Sequence, residues 1–160
     1  MKFVYDDGGR VEAGFKGIAG DCGTRAVAIA TGIPYRDVYN ALQKLQKEYI
    51  LECQAKVAKT KSASTKIYYS RAIRDGQSVR NGTYVEVVHR FMNSIGWEWV
   101  PTMKFGTGCR VHLRDDELPS GRIVCRVAKH YAAVVNGELH DIWDSQMDGN
   151  RCVYGYWRKK

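Results

Sequence analysis

The chain of 160 residues contains no long hydrophobic run and no apolar leader. No apolar stretch approaches the roughly 20 residues that a membrane-spanning helix needs. Residues 1–7 also lack the apolar core of a secretory signal peptide. These absences argue against a membrane protein and against secretion, and they favour the cytoplasm.

The chain also has no Cys-x-x-Cys pair. Structural zinc sites usually draw their ligands from such close pairs, and disulfide frameworks usually draw on an even number of cysteines. We therefore expect no metal site and five reduced thiols, as is usual in a cytosol. The cysteines are Cys22, Cys53, Cys109, Cys125 and Cys152.

Acidic residues are scarce relative to basic ones, and the formal net charge is +8. Such a balance would favour association with nucleic acid or another acidic surface. Much of the positive charge lies in residues 44–66 and 158–160, which is typical of a solvated helix face and a loose terminus. Small, polar and basic residues predict an exposed loop near residues 58–67.

The hydrophobic pattern changes from helical to strand-like near Gly96. Apolar spacing predicts helices over residues 22–31, 34–57 and 84–95. Alternation predicts strands over 97–100, 122–127, 130–135, 138–143 and 153–157, and Asn136-Gly137 is a strong type I′ hairpin signal. Helices followed by an antiparallel sheet predict one α+β domain over residues 1–160.

Cys22 opens the first predicted helix, directly after Asp21, which is a good N-cap residue. A helix N-terminus lowers the pKa of a thiol because its backbone N–H groups are unpaired. The same position would suit a small packed residue, since free cysteine is often buried. Cys22 is therefore a candidate nucleophile only if the fold brings it a base.

Four histidines are available as that base: His89, His112, His130 and His140. We expect His89 to be a surface residue of its helix, and His112 has no obvious orienting partner. His130 and His140 flank the predicted hairpin, where the positions of the side chains follow from the strand register.

A two-residue turn at 136–137 places His130, Asp141 and Trp143 on the same strand face. Asp141 is then a diagonal neighbour of His130, within reach of an imidazole–carboxylate bond. Asp144 has the wrong parity unless the strand bulges or ends at Trp143. A polar His–Asp pair on an apolar face needs an explanation, because buried polar groups need partners.

A cysteine opening a buried helix, then a histidine on one strand and an Asp on the next, resembles the chain order of papain-like cysteine peptidases. These include small bacterial relatives that cleave cell walls or leader peptides. The matching segments are residues 20–23 and 130–144. The resemblance implies a papain-like fold with Cys22 as nucleophile, His130 as general base and then acid, and Asp141 or Asp144 as the orienting group.

The resemblance breaks down upstream of the nucleophile, where papain-like enzymes usually have a glutamine that helps to bind the oxyanion. Residues 15–20 contain none. The backbone N–H of Cys22 can supply one donor, and Lys16 or a glycine N–H is a candidate second donor. Trp143 is the best aromatic candidate for substrate binding, and Arg25 is expected to pair with Asp21 along the helix.

Most of the chain is also similar to a set of small uncharacterised proteins carried by bacteriophages and prophages. The similar segments are residues 97–103, 111–113, 116–119, 140–141 and 151–157. This resemblance implies the cytoplasm of a bacterial host cell as the location, but it implies no activity.

The sequence thus predicts a thiol hydrolase that cleaves a peptide or isopeptide bond in a protein or peptide substrate. No metal, organic cofactor or membrane is implied. One alternative is a papain-like scaffold without catalysis that binds nucleic acid or protein through basic residues between 44 and 80. Another is a transglutaminase-like acyl transferase, which would use the same thiol with a different acceptor.

Overall fold

The computed structural model describes residues 1–160 and contains four α-helices and six strands, which confirms the predicted α+β class. The helices are α1 (Cys22–Thr31), α2 (Tyr35–Lys59), α3 (Ala63–Asp75) and α4 (Val85–Ser94), with a 3₁₀ turn at Val79–Asn81. The strands are β1 (Lys2–Tyr5), β2 (Trp97–Pro101), β3 (Arg122–Val127), β4 (His130–Val135), β5 (Glu138–Asp141) and β6 (Val153–Lys159).

The six strands form one mixed sheet in the order β1-β5-β4-β3-β6-β2. Four of the pairings are antiparallel, but β1 runs parallel to β5 and pairs Lys2 with Glu138. The expectation of a purely antiparallel sheet is therefore wrong at this edge. The reason is that the N-terminal segment, which carried no strand signal, returns to the C-terminal sheet and adds a strand beside β5.

Helix α1 is buried along most of its length, as its small apolar residues predict. Gly32 ends it in the left-handed conformation at φ +74°, which favours glycine. The helix packs on the sheet face that presents Tyr131 and Ala133, whereas Ala132 and Val134 belong to a second core on the opposite face. None of the helices is both long enough and apolar enough to cross a membrane.

The segment predicted as an exposed loop near residues 58–67 is mostly helical. Helix α2 continues to Lys59, and α3 begins at Ala63 after Ser62 accepts a hydrogen bond from the Thr65 N–H at 3.3 Å. The segment is exposed or half-buried as expected. Its helical character was missed because α3 fully buries only Ala72, so the sequence carries little apolar periodicity.

Candidate active site

The candidate site lies at one end of the sheet, where β4 begins, β5 ends and α1 begins. The hairpin has the register predicted from its turn, since Val135 pairs with Glu138 and Val134 with Leu139. Both turn residues have positive φ, +51° at Asn136 and +80° at Gly137, as a type I′ turn requires. This register brings the first residue of β4, His130, beside the last residue of β5, Asp141.

His130 and Asp141 form a buried hydrogen bond, with Nε2 of the imidazole 2.5 Å from Oδ2 of the carboxylate. Asp141 also accepts the backbone N–H of Ile142 at 2.8 Å and the hydroxyl of Ser145 at 3.4 Å. These bonds hold the carboxylate in place, and the carboxylate in turn orients the ring. The Nδ1 atom of His130 is left free for another partner.

The Cys22 thiol lies beside His130, because both side chains line the same cavity and each shifts the pKa of the other. Burial by itself would raise the pKa of Cys22. The hydrogen bond and charge of His130, a backbone hydrogen bond from Tyr131 and the charge of Arg25 outweigh burial and lower that pKa below its ordinary 9.0. The thiol is therefore favoured as a thiolate.

The pKa of His130 moves in the opposite direction. Burial would lower it, but the hydrogen bonds and charges of Asp141 and Cys22 raise it from 6.5 to about 9. A lowered thiol pKa and a raised imidazole pKa both favour a proton on His130 over a proton on Cys22. Both shifts favour a thiolate–imidazolium ion pair over a neutral thiol and imidazole.

A buried ionic cluster is centred on Asp21, and the sequence predicted only one of its contacts. Asp21 occupies the N-cap position of α1 without capping it. Its carboxylate instead accepts hydrogen bonds from Arg25 at 2.8 Å, Arg10 at 2.9 Å and the Tyr35 hydroxyl. The expected Arg25–Asp21 pair is present, but the capping role is wrong because the carboxylate turns inward.

Arg25 extends this cluster to the other half of the site. Its second terminal nitrogen lies 3.6 Å from Oδ1 of Asp141, and its side chain is almost fully buried. One guanidinium therefore joins the start of the thiol-bearing helix to the carboxylate that orients His130. A charged residue on an otherwise apolar buried helix is a sequence signal that could have indicated this role.

The remaining predicted site residues have other surroundings. Asp144 accepts hydrogen bonds from the backbone and side chain of Gln146 at 3.1 and 3.0 Å, so Asp141 alone is bonded to His130. The Trp143 ring lies 5.3 Å from the His130 ring and is 44% exposed. Lys16 is exposed and does not line the cavity beside Cys22.

The other histidines are bonded elsewhere. His89 accepts a hydrogen bond from the indole of Trp157 at 3.2 Å and is half-buried, so the expectation of a surface residue is wrong. His112 has an orienting partner that was overlooked, because its Nδ1 lies 3.0 Å from Glu117. His140 bonds a carboxylate near the N-terminus at 2.9 Å. His130 is the histidine that lies beside a free thiol, that of Cys22.

The prediction of five reduced cysteines is wrong for one pair, because Cys109 and Cys152 form a disulfide. An isolated antiparallel bridge between His112 and Cys152 brings the two segments together across 43 residues of sequence. Such a separation leaves no local pattern. Cys53 and Cys125 are free and fully buried, so Cys22 is the one free thiol with exposed surface.

A cavity of about 300 Å³ opens beside Cys22 and His130. Asn81 and Gly82 line it from the 3₁₀ turn, and Arg126 and Lys129 line it from the β3–β4 hairpin. No aspartate or glutamate lines it. Cys22 is thus accessible from a space that holds basic and amide groups and no carboxylate.

Comparison of the chain with protein-family models, curated proteins and solved structures finds no match.

Proposed function

We propose that this protein is a thiol hydrolase of papain-like organisation that cleaves a peptide or isopeptide bond. The observation that carries the proposal is the buried His130–Asp141 bond at 2.5 Å beside Cys22, with Cys22 and His130 lining one cavity; the pKa shifts of both groups favour the thiolate. A cysteine kept only for packing needs neither an adjacent base nor a buried carboxylate that holds the base in place.

The chemistry uses two half-reactions. The Cys22 thiolate attacks the carbonyl carbon of the amide, and His130 gives its proton to the departing nitrogen as the C–N bond breaks. Neutral His130 then takes a proton from water, whose oxygen attacks the thioester carbon. The acid product leaves, and the thiolate and the imidazolium are restored. Asp141 stabilises the imidazolium and does not itself transfer a proton.

The oxyanion needs donors that the missing glutamine does not supply. The backbone N–H of Cys22 is one, because the first N–H groups of a helix have no partner within it. For the second we propose the side-chain amide of Asn81, which lines the same cavity. An Asn81→Ala variant should then lower kcat with little change in KM, since the bond forms in the transition state.

The papain-like organisation is supported by the chain order of the three residues and by a thiol at the start of a buried helix. We also propose the cytoplasm of a bacterial cell as the location. The disulfide of Cys109 and Cys152 weighs against a reducing compartment. Neither of these cysteines lines the cavity, so its reduction would leave the Cys22 site in place.

The test is cleavage of a proteome-derived peptide library, with new termini identified by mass spectrometry. Wild-type protein should generate new termini, and Cys22→Ala and His130→Ala should not. Asp144→Asn is the matched control and should cleave as wild type does, because Asp144 is bonded only to Gln146. Adding an amine nucleophile, such as hydroxylamine, should trap the same acyl groups that water otherwise releases.

Each other outcome rejects a defined part of the proposal. Cleavage by Cys22→Ala would show that the thiol is not the nucleophile. Products formed only with an added amine would identify an acyl transferase. No products from any variant, combined with salt-sensitive binding of RNA or DNA, would favour the non-catalytic basic module.

A further inference from the structure

We propose that the substrate of this site is an acidic peptide segment whose carboxylate binds Arg126, next to the bond that Cys22 attacks. This inference rests on the proposed function and adds the chemical class of the substrate.

Arg126 is a cation without a counter-ion. It lies on β3 opposite Tyr131 of β4, is half-buried, and its guanidinium stacks 5.7 Å from the ring centre of Tyr154. No carboxylate of the protein forms an ion pair with it. In contrast, several other arginines have such a partner: Arg10, Arg25, Arg74, Arg90, Arg114 and Arg158.

A half-buried guanidinium with no partner has lost part of its hydration without receiving a charge-assisted hydrogen bond in return. Stacking on Tyr154 holds the planar group in position and leaves its N–H donors available. A carboxylate matches this fork of donors and would restore the missing bonds. The arginine is therefore arranged to receive an anionic ligand.

The location of Arg126 connects it to the candidate active site. It lines the cavity beside Cys22 together with Lys129, and that cavity contains no carboxylate to compete for either cation. The charge of His130 is balanced there by the Cys22 thiolate, so Arg126 and Lys129 supply the excess positive charge. An acidic group entering from solvent is attracted by both cations, and a basic group is repelled.

A second cavity, of about 490 Å³, continues from the first. The two share three lining residues: Tyr84, Val85 and Arg126. The second reaches the tyrosines of α2 and α3, and its one carboxylate, Glu86, is already bonded to Arg90 at 2.9 Å. Arg126 thus lies at the junction of a continuous groove. A peptide bound along that groove would pass its side chains over Arg126.

The test compares two alkylating reagents that differ in charge, iodoacetate and iodoacetamide, as probes of Cys22. Each rate is divided by the rate with a small free thiol, so that intrinsic reactivity cancels. In wild-type protein the normalised ratio of iodoacetate to iodoacetamide should exceed one. Arg126→Gln should lower that ratio on the order of tenfold, the effect of losing one charge-assisted hydrogen bond in a half-buried site.

Arg110→Gln is the matched control, because it removes the same charge from an exposed position outside both cavities. It should leave the ratio unchanged. Raising the salt concentration from about 0.05 M to about 0.5 M should reduce the wild-type ratio. This measurement uses the wild-type protein alone, so it does not depend on whether a variant folds. Peptide vinyl sulfones that carry Glu in place of Gln should then label Cys22 faster.

Two results overturn the inference and are distinguishable. If Cys22 reacts with both reagents and the ratio is the same in wild type and Arg126→Gln, the substrate is not selected by this cation and the hydrolase proposal stands. If Cys22 reacts with neither reagent in the folded protein, both proposals fail.

Discussion

The substitution Asp141→Asn tests the role of the carboxylate while keeping the size and shape of the side chain. It removes the charge that faces Nε2 of His130 across the 2.5 Å bond. A charge-assisted hydrogen bond of this kind contributes about 1.5–3 kcal/mol, which is equivalent to about one to two pKa units. The pKa of His130 should therefore fall from about 9 toward about 7–8.

The thiol responds in the opposite sense. The imidazolium is one of the groups that lower the pKa of Cys22, so a less stable imidazolium lets that pKa rise toward its ordinary 9.0. In wild type the ion pair exists from the lowered pKa of Cys22 up to the raised pKa of His130. In the variant the pH range of the ion pair narrows from both ends, and the fraction of thiolate at pH 7 should decrease.

The assay is the rate of Cys22 alkylation by iodoacetamide from about pH 5 to about pH 9, followed by peptide mass spectrometry. Only Cys22 should react in the folded protein, because Cys53 and Cys125 are buried and the other two cysteines are joined. Asp144→Asn should reproduce the wild-type profile. Superimposable profiles for Asp141→Asn and wild type would refute the orienting role of Asp141.

Three further substitutions test the surroundings of the site. Arg25→Met should lower the free energy of unfolding by about 3–5 kcal/mol, because the buried carboxylate of Asp21 loses an ion-pair partner. Urea denaturation measures this free energy, and a loss below about 1 kcal/mol would contradict the prediction. Replacing Cys109 and Cys152 by serine should lower the free energy of unfolding by about 3–4 kcal/mol in the same assay, because the loop is no longer closed in the unfolded chain. The alkylation rate of Cys22 should stay unchanged. A slower rate would show that the disulfide helps to hold the Cys22 site in place. Gly20→Ala would put a Cβ 2.8 Å from the Arg80 carbonyl, next to the segment that lines the cavity. Cys22 alkylation should slow without a change in helical circular dichroism. An unchanged rate would show that this side of the cavity does not limit access of the reagent to Cys22.

The three central residues of the candidate site could be identified from sequence because local rules govern each of them. A run of small apolar residues predicted a buried helix beginning at Cys22. A two-residue turn and the alternation of side chains placed His130 beside Asp141, and the structure has that register. Turn type and strand parity act over a few residues, so they are readable without knowledge of the rest of the fold.

The features that were missed all depend on residues far apart in the chain. Strand β1 pairs with β5 across more than a hundred residues, and the disulfide spans 43. The inward turn of Asp21 depends on Arg10 and Tyr35, which come from separate segments. Helix α3 was missed for another reason, because a helix that buries almost nothing has no apolar stripe.

The sequence by itself determined the α+β class and the hairpin register that brings His130 beside Asp141. Tertiary structure decided that the Cys22 thiol lies beside the His130 imidazole and that Arg25 contacts both Asp21 and Asp141. It also decided that Arg126 lines the groove without an ion-pair partner. The physical reason is the distance along the chain over which each effect acts. Backbone preference and side-chain alternation act between near neighbours, whereas pKa values, ion pairs and cavities depend on which distant segments the folded chain brings together.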